Sequence, residues 1–326
     1  MAIIDPSVAT GAPHSVDVAE EVKGRSPWEL FWLRFKKDKA AIAGVVIIVI
    51  LVLLALLAPV IAAHVSHHGP NQLFENMTTD IGIPKGPNTH FWFGADQNGR
   101  DVFVRTLYGA RTSLMVAVFA TGIATIIGLT LGVTAGFFRG WVDTLISRSI
   151  DIVLSLPLLL FAIGIAASCS IAGEGQKGCL GGLIKPGLSL IIFIVALFSW
   201  TPMARIMRGQ TLSIREKEFI EASRSLGASP RQIMVREVLP NLVAPIIIYS
   251  SLIIPSNILF ESYLSFLGLG IPQTIPSWGR MISDAQRYLQ VAWWMMLFPG
   301  LFLFTTTLAF NLLGDGLRDA LDPRTT

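Results

Sequence analysis

Long runs without a single charged side chain limit this chain more than anything else in it. Ala40 to Ala63, Thr112 to Phe138, Leu188 to Ala204, Val238 to Phe260 and Tyr288 to Gly314 carry none, and a further run from about Ile150 to Ile171 carries only Asp151. A hydrocarbon core about 30 Å thick needs roughly 20 apolar residues to cross as helix. The expectation is an all-α integral membrane protein with six transmembrane helices. A cleaved signal peptide would have a shorter apolar core and a basic segment much nearer the start of the chain, so the first run reads as an uncleaved anchor.

The charge balance agrees. Of 326 residues 52% are hydrophobic and 14% charged, against about 25% charged in soluble domains. A net charge of +3 is too small to suggest nucleic acid. Cys169 and Cys179 are too few for a disulfide scaffold and lack metal-ligand spacing.

Between the spans the chain is informative in places. Residues 1–39 are a polar tail followed by WELFWLRFKKDKA, in which Trp28, Leu30, Phe31, Trp32 and Phe35 lie on or near one face and Lys36, Lys37 and Lys39 follow, a pattern suited to the headgroup region. A plain extension of the first span fits equally. His64, His67 and His68 invite a metal, but their Gly-Pro-flanked setting favours solvated side chains. Asp and Arg with Gly between them, at Asp96, Gly99, Arg100 and Asp101, make a compact ion-paired turn. Gly128, Gly132 and Gly136 recur every four residues, on one face, where helices can approach closely. Arg139 to Arg148 reads as a short basic turn. The third span contains Pro157, and Asp151 is placed to pair with Arg148 at the membrane edge or to touch a pathway. Gly173 to Gly178 mimics half of a phosphate loop, but Cys179 and Leu180 stand where Lys and Ser or Thr are needed. No nucleotide site is supported. Pro245 and Pro255 are placed to bend the fifth span, and Glu261, at its end, is a membrane acid with a structural or a pathway role. Residues 315–326 form a short charged tail, expected as a capped helix in water.

The longest charged passage is 215–241. It reads as two short helices broken at Gly227. Phe219, Ala222, Ser223 and Leu226 give a narrow apolar stripe at i, i+3, i+4, i+7, beneath Glu218, Glu221 and Arg224. Gly227 permits the left-handed backbone that ends a helix. Ser229 as N-cap, Pro230 at the first position and Gln232 at the capping-box site start the second helix.

Glu221, Ala222, Ser223, Gly227, Leu239 and Pro240 resemble the EAA loop of ABC importer permeases. The family usually has Ala where Ser223 stands and an apolar residue where Glu237 stands. Gly94-Ala95-Asp96, Gly99-Arg100-Asp101, Tyr108 to Leu114, Leu267 to Gly270, Pro276 to Met281 and the ending from Phe310 to Arg324 resemble the dipeptide, oligopeptide and nickel subgroup, in its C-type subunit. The resemblance covers most of residues 26 to 324 and implies the type I importer permease fold. The 40–314 region is then the six-helix domain, and 215–241 a coupling hairpin seated in a separate ATPase. Glu218, Glu221, Ala222, Ser223, Arg224, Gly227, Ala228, Leu239 and Pro240 are its coupling residues. Implied partners are a homologous second permease, two ATP-binding subunits that hold the ATP and magnesium, an extracytoplasmic solute-binding protein, and a peptide cargo. This chain holds no cofactor of its own.

Six spans put both termini on one side. Lys23, Arg25, Arg34, Lys36, Lys37, Lys39, Arg139, Arg148, the basic residues from Arg205 to Arg236, Arg318 and Arg324 share that side. The other side has Lys85, Arg100, Arg105, Arg111, Lys177, Lys185, Arg280 and Arg287. The bias makes the termini and the hairpin cytoplasmic in a bacterial inner membrane. Cys169 and Cys179 fall outside, where disulfides persist; bonded and free forms both stay open. Other classes are an ATP-independent channel or secondary transporter, which calls for ionisable residues in mid-span, and a membrane enzyme, for which no convergent His, Ser, Cys or carboxylate set is found. Nickel or another small solute is the alternative cargo.

Overall fold

The structure, a computed structural model, describes residues 27–170, 184–185, 187–269 and 271–321. Among them no strand forms, only two isolated bridges. Five helices are long and apolar enough to span, Lys39–Ser66, Val102–Phe138, Leu188–Arg215, Val243–Phe266 and Trp294–Leu321, and a bent pair supplies a sixth crossing.

Helix α1 (Pro27–Phe35) lays Phe31 and Phe35 against Ala41 and Ala320 and leaves Trp28 and Trp32 exposed. Asp38 then caps α2 (Lys39–Ile61), its carboxylate accepting from the Ala40 and Ala41 amides. A π turn at Ala62–Ser66 ends the span.

Residues 67–101 fold into a cap rather than an open loop. Asp101 is the N-cap of α3 (Val102–Phe138), so the segment Tyr108 to Arg111 is helical, and this span begins ten residues before the apolar run that announces it. Polar residues in the first turns of α3 are buried beneath the cap, which is why hydropathy alone places the helix start too late. His68 is not solvated, as its setting had suggested. Its ring lies 4.6 Å from both Phe74 and Phe91, and its Nδ1 is 2.9 Å from Asp101 Oδ2. Among the described residues no His, Cys, Asp or Glu group could hold a metal ion.

The close-approach glycines work as a spine. A Cβ on Gly132 would stand 2.5 Å from the Ala204 carbonyl oxygen; on Gly128 and Gly136 it would meet Met203 and Thr211 of the same helix, α6 (Leu188–Arg215), within 3 Å. Arg139 and Gly140, with φ of 56° and 59°, make the whole turn after α3. The expected basic turn up to Arg148 is instead the first half of helix α4 (Gly140–Ser155). The third span is likewise not continuous: α4 and α5 (Leu158–Ser170) meet at 85°. Pro157 has no amide to donate and forces Leu156 into extended backbone, ψ 138°, which a helix cannot pass.

After the hairpin, α10 (Val243–Phe266) crosses back with Pro255 inside it. The short α11 (Trp278–Ala285) lies between it and α12 (Trp294–Leu321). The tail to Leu321 is no separate helix but the end of α12, because Gly316 packs onto Ala41, its virtual Cβ only 2.2 Å from Ala41 Cβ.

Candidate functional site

The hairpin is built from three short helices. After α6 the chain turns at Glu216 and Lys217 into α7 (Glu218–Ser225). Gly227, at φ 82°, ends it in the Schellman pattern: Ala228 N donates to Ser223 O at 3.1 Å and Gly227 N to Arg224 O at 2.9 Å. Ser229 caps α8 (Pro230–Ile233), its Oγ accepting from Gln232 N at 3.3 Å. The helix then widens into a π turn, Met234–Val238, before α9 (Leu239–Asn241). Pro240 explains the widening. It cannot donate to the Arg236 carbonyl, so Leu239 N reaches back to Met234 O instead.

Burial divides the hairpin into an anchor and a face. Ile220, Ile233, Val238 and Leu242 are buried with Val133, Phe137, Met203, Met207 and Ile214, the inner ends of α3 and α6. The apolar stripe read from the spacing faces the other way: Phe219 and Ala222 are exposed and Leu226 is 88% exposed. Ser223 and Ala228 are half-buried, and Glu218, Glu221, Arg224, Gly227 and Pro240 are exposed. A hollow of about 280 Å³ between the two arms is lined by Ser223, Leu226, Gly227, Ala228 and Glu237. Spacing missed the anchor Ile220; the signal was available in Ile214, Ile220 and Ile233, apolar residues isolated among charges.

A second ring of charge braces the base. Arg139 pairs with Glu216. Arg215 donates to the Phe137 carbonyl at 2.6 Å, and the guanidiniums of Arg215 and Arg224 lie 5.8 and 5.9 Å from the Phe137 ring. Arg208 Nη2 donates to Asp143 at 2.7 Å. Asp151 is exposed and sits 3.3 Å from Arg205 and 4.0 Å from Arg148.

Glu261 lies far from the hairpin and is fully buried. Its carboxylate accepts from Ser113 Oγ at 2.9 Å and Ser265 Oγ at 2.6 Å, joining α10 to α3. Ser199 and Thr121 bracket Asn257 in the same way: Ser199 donates to its carbonyl at 2.6 Å, and its amide donates to Thr121 at 2.7 Å. Cys169 is buried and among the described residues no cysteine is free; Cys179 lies outside the described residues.

Residues 128–326 match the family described as binding-protein-dependent transport system inner membrane component, and residues 26–79 match the N-terminal TM domain of oligopeptide transport permease C. The chain belongs to this permease family. The permease is 38% identical over 317 residues to the dipeptide transport system permease protein DppC of Alkalihalophilus pseudofirmus, covering 97% of this chain and 96% of that one. It is 35% identical to the glutathione transport system permease protein GsiD of Pectobacterium atrosepticum, covering 95% of each. Among solved structures it is similar to the MetNI methionine ABC transporter in inward-facing conformations, with TM-score 0.52, 18% identity, and coverage of 66% of this chain and 94% of that one. That likeness gives the fold, a type I ABC importer permease. The permease is thus a multi-pass inner-membrane transport component that works with ATPase subunits and a binding protein.

Proposed function

We propose that this chain is one of two related permease subunits in an ATP-driven importer of short peptides. It is served by two ATPase subunits and by an extracytoplasmic solute-binding protein that delivers the cargo. The observation that carries this reading is the divided hairpin. An apolar stripe, Phe219, Ala222 and Leu226, is held away from the permease's own core while Ile220 anchors the opposite face. An exposed apolar surface framed by Glu218, Glu221 and Arg224 suits a groove in a partner. The cargo class comes from the relatives, which are named for dipeptides and glutathione.

ATP and magnesium belong to the ATPase subunits in this reading. Closure of the ATPase pair draws on the hairpin, and α6 and α10, which flank it, convey the displacement into the membrane so that a central pathway alternates its access. Gly227 sets the angle between the hairpin arms and Pro240 the angle at which the chain enters α10. Glu261 and Asp151 hold helices in place. Cys169 and Cys179 form a bridge across the outer loop, worth about 2–4 kcal/mol.

The test is Leu226→Glu in the assembled transporter. Loss of ATPase co-purification and of peptide uptake is expected, with the variant still folded. Undiminished uptake would overturn the docking role.

A further inference from the structure

A hollow of about 500 Å³ opens partway along the spans, between the break that joins α4 to α5 and the middles of α6 and α10. Leu156, Leu158, Phe198 and Phe260 make its walls, and none of the residues that line it is charged. Two interruptions of regular backbone meet there. Leu156 leaves the helix ahead of Pro157. Pro202 has no amide for the Phe198 carbonyl, which accepts from Thr201 Oγ1 at 3.1 Å instead. Irregular backbone at this depth is tolerated where it is buried in protein or lines a wet cavity, and here Pro157 and Leu158 are exposed.

The hydroxyls set this hollow apart from a groove that faces lipid. Elsewhere in the spans serine and threonine side chains turn back onto their own helix: Thr130 donates to Ile126 O at 2.8 Å, Ser250 to Ile246 O at 2.6 Å and Thr307 to Leu303 O at 2.9 Å. Ser256 and Tyr263 line the hollow, are exposed, and have no hydrogen-bond partner among the described residues. A hydroxyl left in hydrocarbon without a partner is costly, so both suit water or a polar ligand. Seven residues apart on α10, they lie on one face about 10 Å from each other. That is the length of about three extended residues. Asn257, beside them, is already held by Ser199 and Thr121, which fixes that side of the hollow.

We infer that the hollow is a transit site for the peptide cargo. It takes one apolar side chain among Leu156, Phe198 and Phe260, and neighbouring backbone carbonyls on the hydroxyls of Ser256 and Tyr263. Hydroxyls donate to any peptide carbonyl, and apolar walls select side chains by size rather than identity, so many sequences fit. With no charge to offer, the hollow leaves the peptide termini in water and disfavours a charged side chain. The site rests on the importer reading above, to which it adds the permease's own contact with cargo.

The experiment uses the complete transporter, with both permeases, the ATPases and the binding protein, in proteoliposomes, and measures initial uptake of alanylalanine and alanylphenylalanine. Ser256→Leu fills the hollow and should lower uptake of alanylphenylalanine relative to alanylalanine about tenfold or more. Ser256→Ala keeps the space, should slow both peptides about twofold or more, and leaves their ratio alone. The binding protein is the same throughout, so a change of ratio belongs to the permease. Thermal unfolding and co-purification of the second permease check assembly. Unchanged rates in Ser256→Ala, or an unchanged ratio in a folded Ser256→Leu, overturn the site and leave the importer reading intact. Loss of the second permease from Ser256→Leu makes the hollow a subunit contact and also overturns the site. A wild-type transporter that takes up neither dipeptide overturns the peptide reading and the site together.

Discussion

Gly132 shows how much one missing methyl can decide. Its virtual Cβ would sit 2.5 Å from a backbone oxygen, which cannot step aside, whereas Gly122 on the same helix has nothing within 4 Å. Gly132→Leu should lower stability by about 2 kcal/mol or more through overpacking, while Gly122→Leu should be near neutral; melting of the two detergent-solubilised variants checks the contrast. Glu261 makes a second such test. Glu261→Gln keeps an acceptor for the serines, but Glu261→Leu strands Ser113 and Ser265 inside the bundle, at about 1–3 kcal/mol. A smaller loss of melting temperature for Gln than for Leu is the expected result, and equal losses would show that the serine contacts do not matter. The glycine face was readable from spacing alone because helical periodicity fixes which residues share a side. The Glu261 partner Ser113 was not, since it stands 148 residues away on another helix. His68 was misread for a similar reason: only the fold supplies the rings of Phe74 and Phe91 and the carboxylate of Asp101. Burial pushes that carboxyl above its ordinary range, against the opposing effect of His68 and the Phe103 and Val104 amides.

Helices and turns were legible to the extent that local chemistry sets them. Ser229, Pro230 and Gly227 mark the hairpin because cap and turn preferences act within a few residues, and the structure has the cap, the first-turn proline and the left-handed glycine in those places. Which face of α7 meets the core depended on α3 and α6, so the outward direction of the stripe could not be read from its period. Pro157 was visible too, but an 85° bend rather than a mild kink needs the neighbours that accept α4 and α5 in separate directions. Gly227→Val places a β-branched residue at φ 82°, where the left-handed backbone costs about 1–2 kcal/mol or more. The expected outcome is ATP hydrolysis that no longer drives uptake, measured side by side in proteoliposomes; normal uptake per ATP would sink the proposed role of the turn. For the outer loop, thiol labelling of unreduced, unfolded protein should find no free cysteine, and labelling of both Cys169 and Cys179 would remove the bridge.

Taken together, the elements form two layers of control around the bundle. Below, the hairpin is seated on the inner ends of α3 and α6. Above, the 67–101 cap is stitched to distant parts of the chain: Trp294 Nε1 donates to Ala95 O at 3.0 Å, and Asn71 Nδ2 donates to Thr274 O at 2.7 Å. Trp294→Phe should keep the packing but lose one of these stitches, loosening the cap without unfolding the bundle. Faster amide exchange in residues 91–101 with unchanged exchange in α6 is the measurement. Six crossings were countable from apolar runs, but the cap was not, because its residues look like an ordinary polar loop until Trp294 is in place.

Helix α12 is tied down at both of its ends, to the cap through Trp294 and to α1 and α2 through Gly316, Leu317 and Ala320. Its 28 residues make a strut about 42 Å long. Tilted about its middle by roughly 10°, such a strut would carry its ends about 7 Å in opposite directions relative to one another. In the importer proposed above, a sideways pull on the cytoplasmic end would swing the cap the other way, like a tiller and its rudder, and would join opening on one face of the membrane to closing on the other without any signal having to pass from side chain to side chain.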